Sequence, residues 1–149
     1  MGNTLPLTAL PHALAAFAPQ TCGARGGWWY HPQDKSLEGI RLTHQPSPWV
    51  GDFSWLCFMP QADGFFASEN ERWSGYRAEK AVLRPHELDV TFLRYGARLR
   101  LAPTDTGAVA EITFDEDSRQ PRFAILLPDF DCRMKVDITG RLIKGYTAH

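Results

Sequence analysis

The sequence predicts an all-β domain in which two antiparallel sheets pack face to face as a β-sandwich. After Gly26, short apolar runs alternate with turn residues at the spacing that is typical of such domains. Convincing helix is scarce: helix-forming composition is confined to residues 10–17, a short run bounded by prolines. The length of 149 residues suits one domain with its own hydrophobic core.

The strands are predicted from alternating and continuous apolar runs. Residues 97–101 place Arg98 and Arg100 on one face and leucines on the other, as in a strand with one solvated face. Residues 132–138 alternate in the same way, which predicts a half-buried antiparallel strand. Residues 123–127 are apolar on both faces, which predicts a central position in a sheet. The remaining predicted strands are residues 39–43, 53–59, 108–114 and 141–146.

Turn residues join neighbouring strands into hairpins. The run from Thr104 to Gly107 and the pair Thr139-Gly140 each supply residues that favour a tight turn. The acidic residues 115–118 are interpreted as a solvated loop.

Composition excludes several classes of protein. The net charge is −1 and there is no run of lysine or arginine, which argues against nucleic acid or an anionic membrane as partner. The cysteines at positions 22, 57 and 132 are odd in number and far apart, so neither a zinc site nor a disulfide framework is predicted. Cys57 and Cys132 are interpreted as small buried hydrophobes.

The first twenty residues do not resemble an export signal. No basic residue precedes the apolar stretch, and Pro6, Pro11 and Pro19 interrupt it. The default expectation is a cytoplasmic location, with secretion left open if a further segment precedes Met1.

The loop after residues 39–43 is the strongest candidate for a binding site. Pro46 and Pro48 fix two φ angles, so the loop loses little conformational entropy when it binds a ligand. It carries an indole beside polar groups, a combination that suits the apolar faces and hydroxyl rim of a sugar. The alternative is that Trp49 packs beneath the loop while His44 bonds a backbone carbonyl. The candidate ligand groups of this loop are His44, Gln45, Trp49 and Asp52.

The amino-acid sequence of this loop resembles a segment found in a known family. The segment "GIRLTHQPSPWVGD" is similar to the THQPSPW-x-GD segment in the N-terminal domain of glycoside hydrolase family 92, the calcium-dependent exo-α-mannosidases. Weaker similarities follow in the family's order: "LPHALAAFAPQT", "GGWWYHP", "FMPQ", "FLRYGARLRLAPTDTGAVAEITF" and "GRLIKGYT". The resemblance covers nearly the whole chain.

The resemblance implies a β-sandwich of the galactose-mutarotase-like supersandwich type, incomplete here relative to the family domain. It implies an inverting exo-α-mannosidase whose active site lies between this sandwich and a C-terminal (α/α)₆ barrel. The barrel supplies the catalytic carboxylates and the calcium ligands. We therefore expect residues 1–149 to form a single domain without that catalytic barrel, to provide no catalytic residue, to bind no cofactor and not to be catalytic alone.

The resemblance also implies roles for individual side chains. Trp49 is expected to pack against a mannose unit, and His44, Gln45 and Asp52 to bond hydroxyls or hold the loop. In the upstream aromatic run, Trp28 and Tyr30 are expected to contact substrate, while neighbouring rings divide between core and seam. The expected partners are an α-mannoside or N-glycan-type carbohydrate and the (α/α)₆ domain, in cis or in trans.

Two other functions remain open at this point. The chain could be a stand-alone mannoside-binding module, or a degenerate remnant that binds nothing. A mutarotase-like enzyme lacks any convincing His/Glu signature. Glu69 and Glu71, in "SENERW", are interpreted as polar loop residues rather than catalytic acids.

Overall fold

The computed structural model describes residues 5–21, 29–43, 56–127 and 132–147, in which strands and turns predominate. The strands of these parts are β1 (Ala16–Gln20), β2 (Ser36–Leu37), β3 (Gly39–Thr43), β4 (Cys57–Gln61), β5 (Ser74–Gly75), β6 (Val82–Arg84), β7 (Glu87–Phe92), β8 (Ala97–Pro103), β9 (Ala108–Phe114), β10 (Arg122–Leu126), β11 (Cys132–Asp137) and β12 (Leu142–Thr147). One helical turn, α1 (Glu69–Arg72), and two 3-10 turns, Ala78–Lys80 and Leu93–Tyr95, lie between them. Within the same residues, no helix is long and apolar enough to cross a membrane.

Two four-stranded antiparallel sheets form the body of the domain. The first has the strand order β1-β3-β4-β10, and the second has the order β6-β7-β8-β9. One buried cluster takes Ile40 and Met59 from the first sheet and Leu88 and Leu99 from the second, all 0% exposed. Because both sheets contribute to the same core, they pack against each other, and the predicted antiparallel β-sandwich is confirmed.

Strand β8 shows how local pattern specifies this packing. Leu99 and Leu101 are buried, while Arg98 and Arg100 between them are exposed, as the alternation predicts. The turn that follows is also as predicted, since the Thr104 amide donates to the Gly107 carbonyl at 2.8 Å. The predicted strands at 39–43 and 108–114 coincide with β3 and β9.

Residues 10–17 do not form a helix despite their helix-forming composition. Residues from Ala16 onward form β1, in which Phe17 pairs with Leu42 of β3. Thr8 and Phe17 also exchange backbone hydrogen bonds of 2.8 and 2.9 Å. Helix propensity is a weak preference, and burial of Phe17 and Ala18 in the sheet overrides it here.

Two burial predictions are wrong. β10 lies at the edge of its sheet in the described structure rather than at the centre, and Phe123 on it is 45% exposed. β11 and β12 form the predicted hairpin, but Val136 and Ile143, which pair across it, are 59% and 50% exposed. The alternation of β11 is as predicted, but the described elements leave much of its apolar face exposed.

A close approach at the start of β3 requires a glycine. Gly39 has φ +138°, and a Cβ there would meet the Cys57 Sγ at 2.5 Å. Cys57 is buried, as predicted, and its thiol donates to the Glu38 carbonyl at 3.8 Å. Burial raises the pKa of the Cys57 thiol to about 11, so it stays protonated at neutral pH. Cys132 is only partly buried.

Candidate functional site

Most of the predicted sugar-contacting residues lie outside the described part of the chain. These residues are Trp28, His44, Gln45, Trp49 and Asp52. Tyr30 is described, and so are Thr43 and Leu56, the residues on either side of the segment 44–55 that carries the proline loop. The roles proposed for the loop therefore remain predictions.

An apolar groove of about 350 Å³ lies where the proline loop is anchored. The Leu42 amide donates to the Leu56 carbonyl at 2.8 Å, so the loop leaves and rejoins the first sheet at neighbouring points. The groove runs from these residues to the β11–β12 hairpin, where Met134 and Tyr146 contribute to its lining. Apolar surface from the sheet and the hairpin thus meets at the base of the loop.

The described rings of the upstream aromatic run have different environments. Trp29 is 2% exposed and packs with Leu5 and Ala18, and the Arg41 guanidinium carbon lies 4.9 Å from its ring centroid. Tyr30 is only half-buried, and burial followed by the Asp34 charge raises the pKa of its phenol. Trp29 thus belongs to the core and Tyr30 lies nearer the surface, while the predicted seam with another domain stays a prediction.

A polar network lies at the other end of β3, around the buried side chain of Gln20. Its Nε2 donates to Glu38 Oε2 at 2.9 Å and to Glu69 Oε1 at 2.7 Å, while its Oε1 accepts from Arg41 Nε at 3.1 Å. Gln20 is 0% exposed, so these bonds satisfy a group that would otherwise be costly to bury. One amide thereby joins β1, β3 and α1.

Arg72 holds α1 against this network from beneath. It is 6% exposed, its Nε donates to the Glu38 carbonyl at 2.7 Å, and its Nη1 donates to the Ala67 carbonyl at 2.8 Å. Its Nη2 lies 3.4 Å from Glu69 Oε1. The Tyr95 hydroxyl in turn donates to the Arg72 carbonyl at 2.8 Å, which ties α1 to the second sheet.

A polar cleft of about 370 Å³ opens above these groups. The Thr21 hydroxyl donates to Asp34 Oδ2 at 2.8 Å and accepts from the His31 amide at the same distance. Trp73, at the end of α1, is 49% exposed and brings an indole to the cleft wall. The cleft is therefore an array of oriented acceptors and hydroxyls beside one aromatic ring. Its lining residues are Thr21, Asp34, Ser36, Glu38, Glu69, Asn70 and Trp73.

The sequence interpretation did not identify the polar cleft. It treated Glu69 as part of a polar loop, whereas Glu69 opens α1 and lines the cleft. Asp34 and Glu38 were not singled out. The sequence feature that could have pointed to the cleft is Trp73, a large aromatic residue in the otherwise polar run "SENERWSG".

The described side chains do not fit a calcium site. No group of three or more His, Cys, Asp or Glu side chains in these parts of the chain could hold a metal ion. The carboxylates of the polar cleft are bonded instead to Gln20, Arg72 and Thr21. No chemical step is therefore derived through calcium on this chain.

Comparison with known proteins gives a family match over almost the whole length. The family model described as "Glycosyl hydrolase family 92 N-terminal domain" matches residues 1–148. A search of the curated proteins gave no match.

Two solved mannosidases have similar structures. The family GH92 inverting mannosidase BT2199 from Bacteroides thetaiotaomicron is 31% identical with a TM-score of 0.84, over 99% of this chain. This chain spans only 20% of BT2199. The family GH92 α-mannosidase BT3965 from the same organism, solved alone and in complex with mannoimidazole, is 18% identical with a TM-score of 0.67. That match covers 77% of this chain and 16% or 17% of BT3965, and it shows likeness of fold alone.

Proposed function

This chain belongs to glycosyl hydrolase family 92 and corresponds to the N-terminal domain of that family. We propose that it is the carbohydrate-contacting module of an inverting α-mannosidase. The observation that carries the proposal is the 31% identity with an inverting mannosidase across 99% of the chain. The chain spans a fifth of that enzyme, so we assign hydrolysis to a complete protein with a catalytic domain, and not to these residues alone.

The contacts of the described carboxylates support the assignment of hydrolysis to another domain. Inverting glycosidases hold their acid and base carboxyl groups about 6.5–9.5 Å apart to admit a water molecule. Glu38 and Glu69 instead accept from the same Nε2 of Gln20, in a network that joins β1 and α1. We propose, as the family resemblance implies, that the acid, the base and the calcium belong to an (α/α)₆ domain that acts with this one in cis or in trans.

The proposed contact with substrate centres on Trp49. Its ring would pack on a mannose unit of an α-mannoside or N-glycan-type carbohydrate, and His44, Gln45 and Asp52 would bond the hydroxyls. Tyr30 supports the role of the upstream aromatic run, because it is only half-buried and its phenol can donate a hydrogen bond to a ligand. Trp28 is proposed to complete that aromatic surface.

The exposed face of the hairpin supports docking to a further domain. Met134, Val136 and Ile143 are each at least 40% exposed on β11 and β12, and apolar surface of this kind marks interaction sites. On the other face of the hairpin Lys135 lies directly opposite Lys144, a pairing that destabilises an isolated ribbon. We propose that the catalytic domain covers part of this hairpin.

Replacing Trp49 with alanine in the complete protein tests the proposed sugar contact. We expect kcat/KM for an α-mannoside to fall about ten- to hundredfold, because burying an aromatic side chain against a ligand contributes roughly 1.5–3 kcal/mol. The measurement is steady-state hydrolysis with and without the substitution.

Trp49→Phe is the matched control, since it keeps an aromatic ring at the same position. It should retain most of the activity that the alanine variant loses. Equal kcat/KM in the alanine variant and the unchanged protein would assign Trp49 to packing beneath the loop, and the proposed contact would be rejected.

A further inference from the structure

We propose that the polar cleft is a second carbohydrate subsite, which takes one neutral pyranose ring of a glycan. It lies beyond Gly39, at the opposite end of β3 from Thr43, the last described residue before the proline loop. Five residues of extended strand separate these ends by about 13 Å. The inference deepens the proposed function, from which it takes a glycan as the ligand.

The size and lining of the polar cleft suit a small polyhydroxylated ring. Its volume of about 370 Å³ falls near the lower end of the roughly 300–1,000 Å³ typical of small-molecule sites. Carboxylate oxygens of Asp34, Glu38 and Glu69 offer acceptors for hydroxyl groups, and the Asn70 amide offers both a donor and an acceptor.

The aromatic wall of the cleft is held in place from the side of the second sheet. The Arg94 guanidinium carbon lies 6.0 Å from the Trp73 ring centroid, and Arg94 Nη1 donates to the Trp73 carbonyl at 3.2 Å. Nη1 of the same guanidinium also bonds the Glu71 carbonyl. These contacts hold the backbone of Trp73 and leave its half-exposed indole available as a stacking surface.

The polar groups of the cleft are likewise positioned in advance. Gln20 Nε2 bonds both Glu38 and Glu69, and the Thr21 hydroxyl bonds Asp34. Fixed acceptors orient a ligand without a further ordering cost.

The charge balance favours a neutral ligand over a cation. Arg72, buried beneath the cleft, has its Nη2 within 3.4 Å of Glu69 and offsets part of the negative charge of the lining. A carboxylate has about four lone-pair sites, so it can accept from ligand hydroxyls in addition to its protein partners. A pyranose presents such hydroxyls beside an apolar ring face.

Calorimetric titration of the complete protein tests the subsite. The probe is a sulfur-linked α-mannobioside, in which the thioglycosidic bond resists hydrolysis. We expect two binding events per chain, of which Trp73→Ala weakens one about tenfold, equivalent to about 1.4 kcal/mol. Trp73→Phe, which keeps a ring, should bind almost as the unchanged protein does. Trp49→Ala should weaken only the other event.

A second variant tests the same site in case Trp73→Ala impairs folding. Asn70→Ala removes an amide from the cleft without removing a side chain of the Gln20–Arg72 network, and it should weaken the same event as Trp73→Ala. Unchanged urea midpoints would show that both variants fold.

Two results would overturn the subsite. One is a titration that neither Trp73→Ala nor Asn70→Ala alters. The other is Trp73-dependent binding of 1,4-diaminobutane together with Trp73-independent binding of the mannobioside. Loss of the Trp49-dependent event alone would count against the proposed function and leave the cleft in place.

Discussion

Arg72→Ala is expected to lower the free energy of unfolding of this chain by about 1.5–3 kcal/mol, the range for hydrogen bonds made by a charged group. Arg72 is buried, and its guanidinium bonds the carbonyls of Glu38 and Ala67 while it neighbours the Glu69 carboxylate. Its removal takes a charged donor away from the carbonyl of Glu38, which is buried, while Ala67 and Glu69 stay accessible to water. Urea unfolding followed by tryptophan fluorescence measures the loss.

Arg100→Ala is the matched control for this substitution. The Arg100 side chain is 51% exposed and lies near Glu87, Asp89 and Glu111 on the outer face of the second sheet. Solvent-exposed pairs of this kind contribute at most about 1 kcal/mol. If Arg72→Ala were no more destabilising than Arg100→Ala, the buried network around Gln20 would not be the structural support described above.

Leu99→Ala is expected to destabilise the chain by about 2–5 kcal/mol. Leu99 is 0% exposed in the middle of β8, where it faces the core shared by the two sheets. Truncation removes apolar contacts and leaves a cavity between sheets that cannot fully close around it. The change in urea midpoint at constant slope gives the value.

The exposed residue Val109 on the neighbouring strand provides the comparison. It is 69% exposed on β9, so Val109→Ala removes little buried surface and should shift the midpoint only slightly. Similar effects of the two substitutions would contradict the face-to-face packing of the sheets.

Predictions from local pattern were accurate where the pattern alone specifies the structure. The alternation of β8 and the turn from Thr104 to Gly107 depend on residues that are neighbours in sequence, and both are confirmed. The segment 10–17 does not follow its helical composition, because pairing with β3, more than twenty residues away, outweighs it.

Burial was harder to predict than strand position. A strand pattern shows which side chains share a face, but it does not show what packs on that face. The hairpin of β11 and β12 therefore has the expected alternation, yet Val136 and Ile143 remain exposed in the described structure. The mannosidase BT2199 is about five times the length of this chain, so an apolar face of this kind fits a surface for another domain.

The candidate sites were predictable to different degrees. The proline loop stands out in the sequence because its ring and polar groups are contiguous. The polar cleft does not, because its parts come from distant segments: Gln20 and Glu69 are 49 residues apart, and Glu38 and Arg72 are 34 apart. No spacing rule connects residues that only the folded sheets bring together.

The most direct test of the account is the anomeric form of mannose released by the native protein. An antibody raised against this 16.8 kDa chain would capture the native protein for assay on an α-mannoside, with the products followed by proton NMR. We predict capture of a polypeptide or complex several times larger, whose first product is β-mannose, as inversion requires. Release of α-mannose, or capture of the chain with no hydrolysis of the mannoside, would contradict the account.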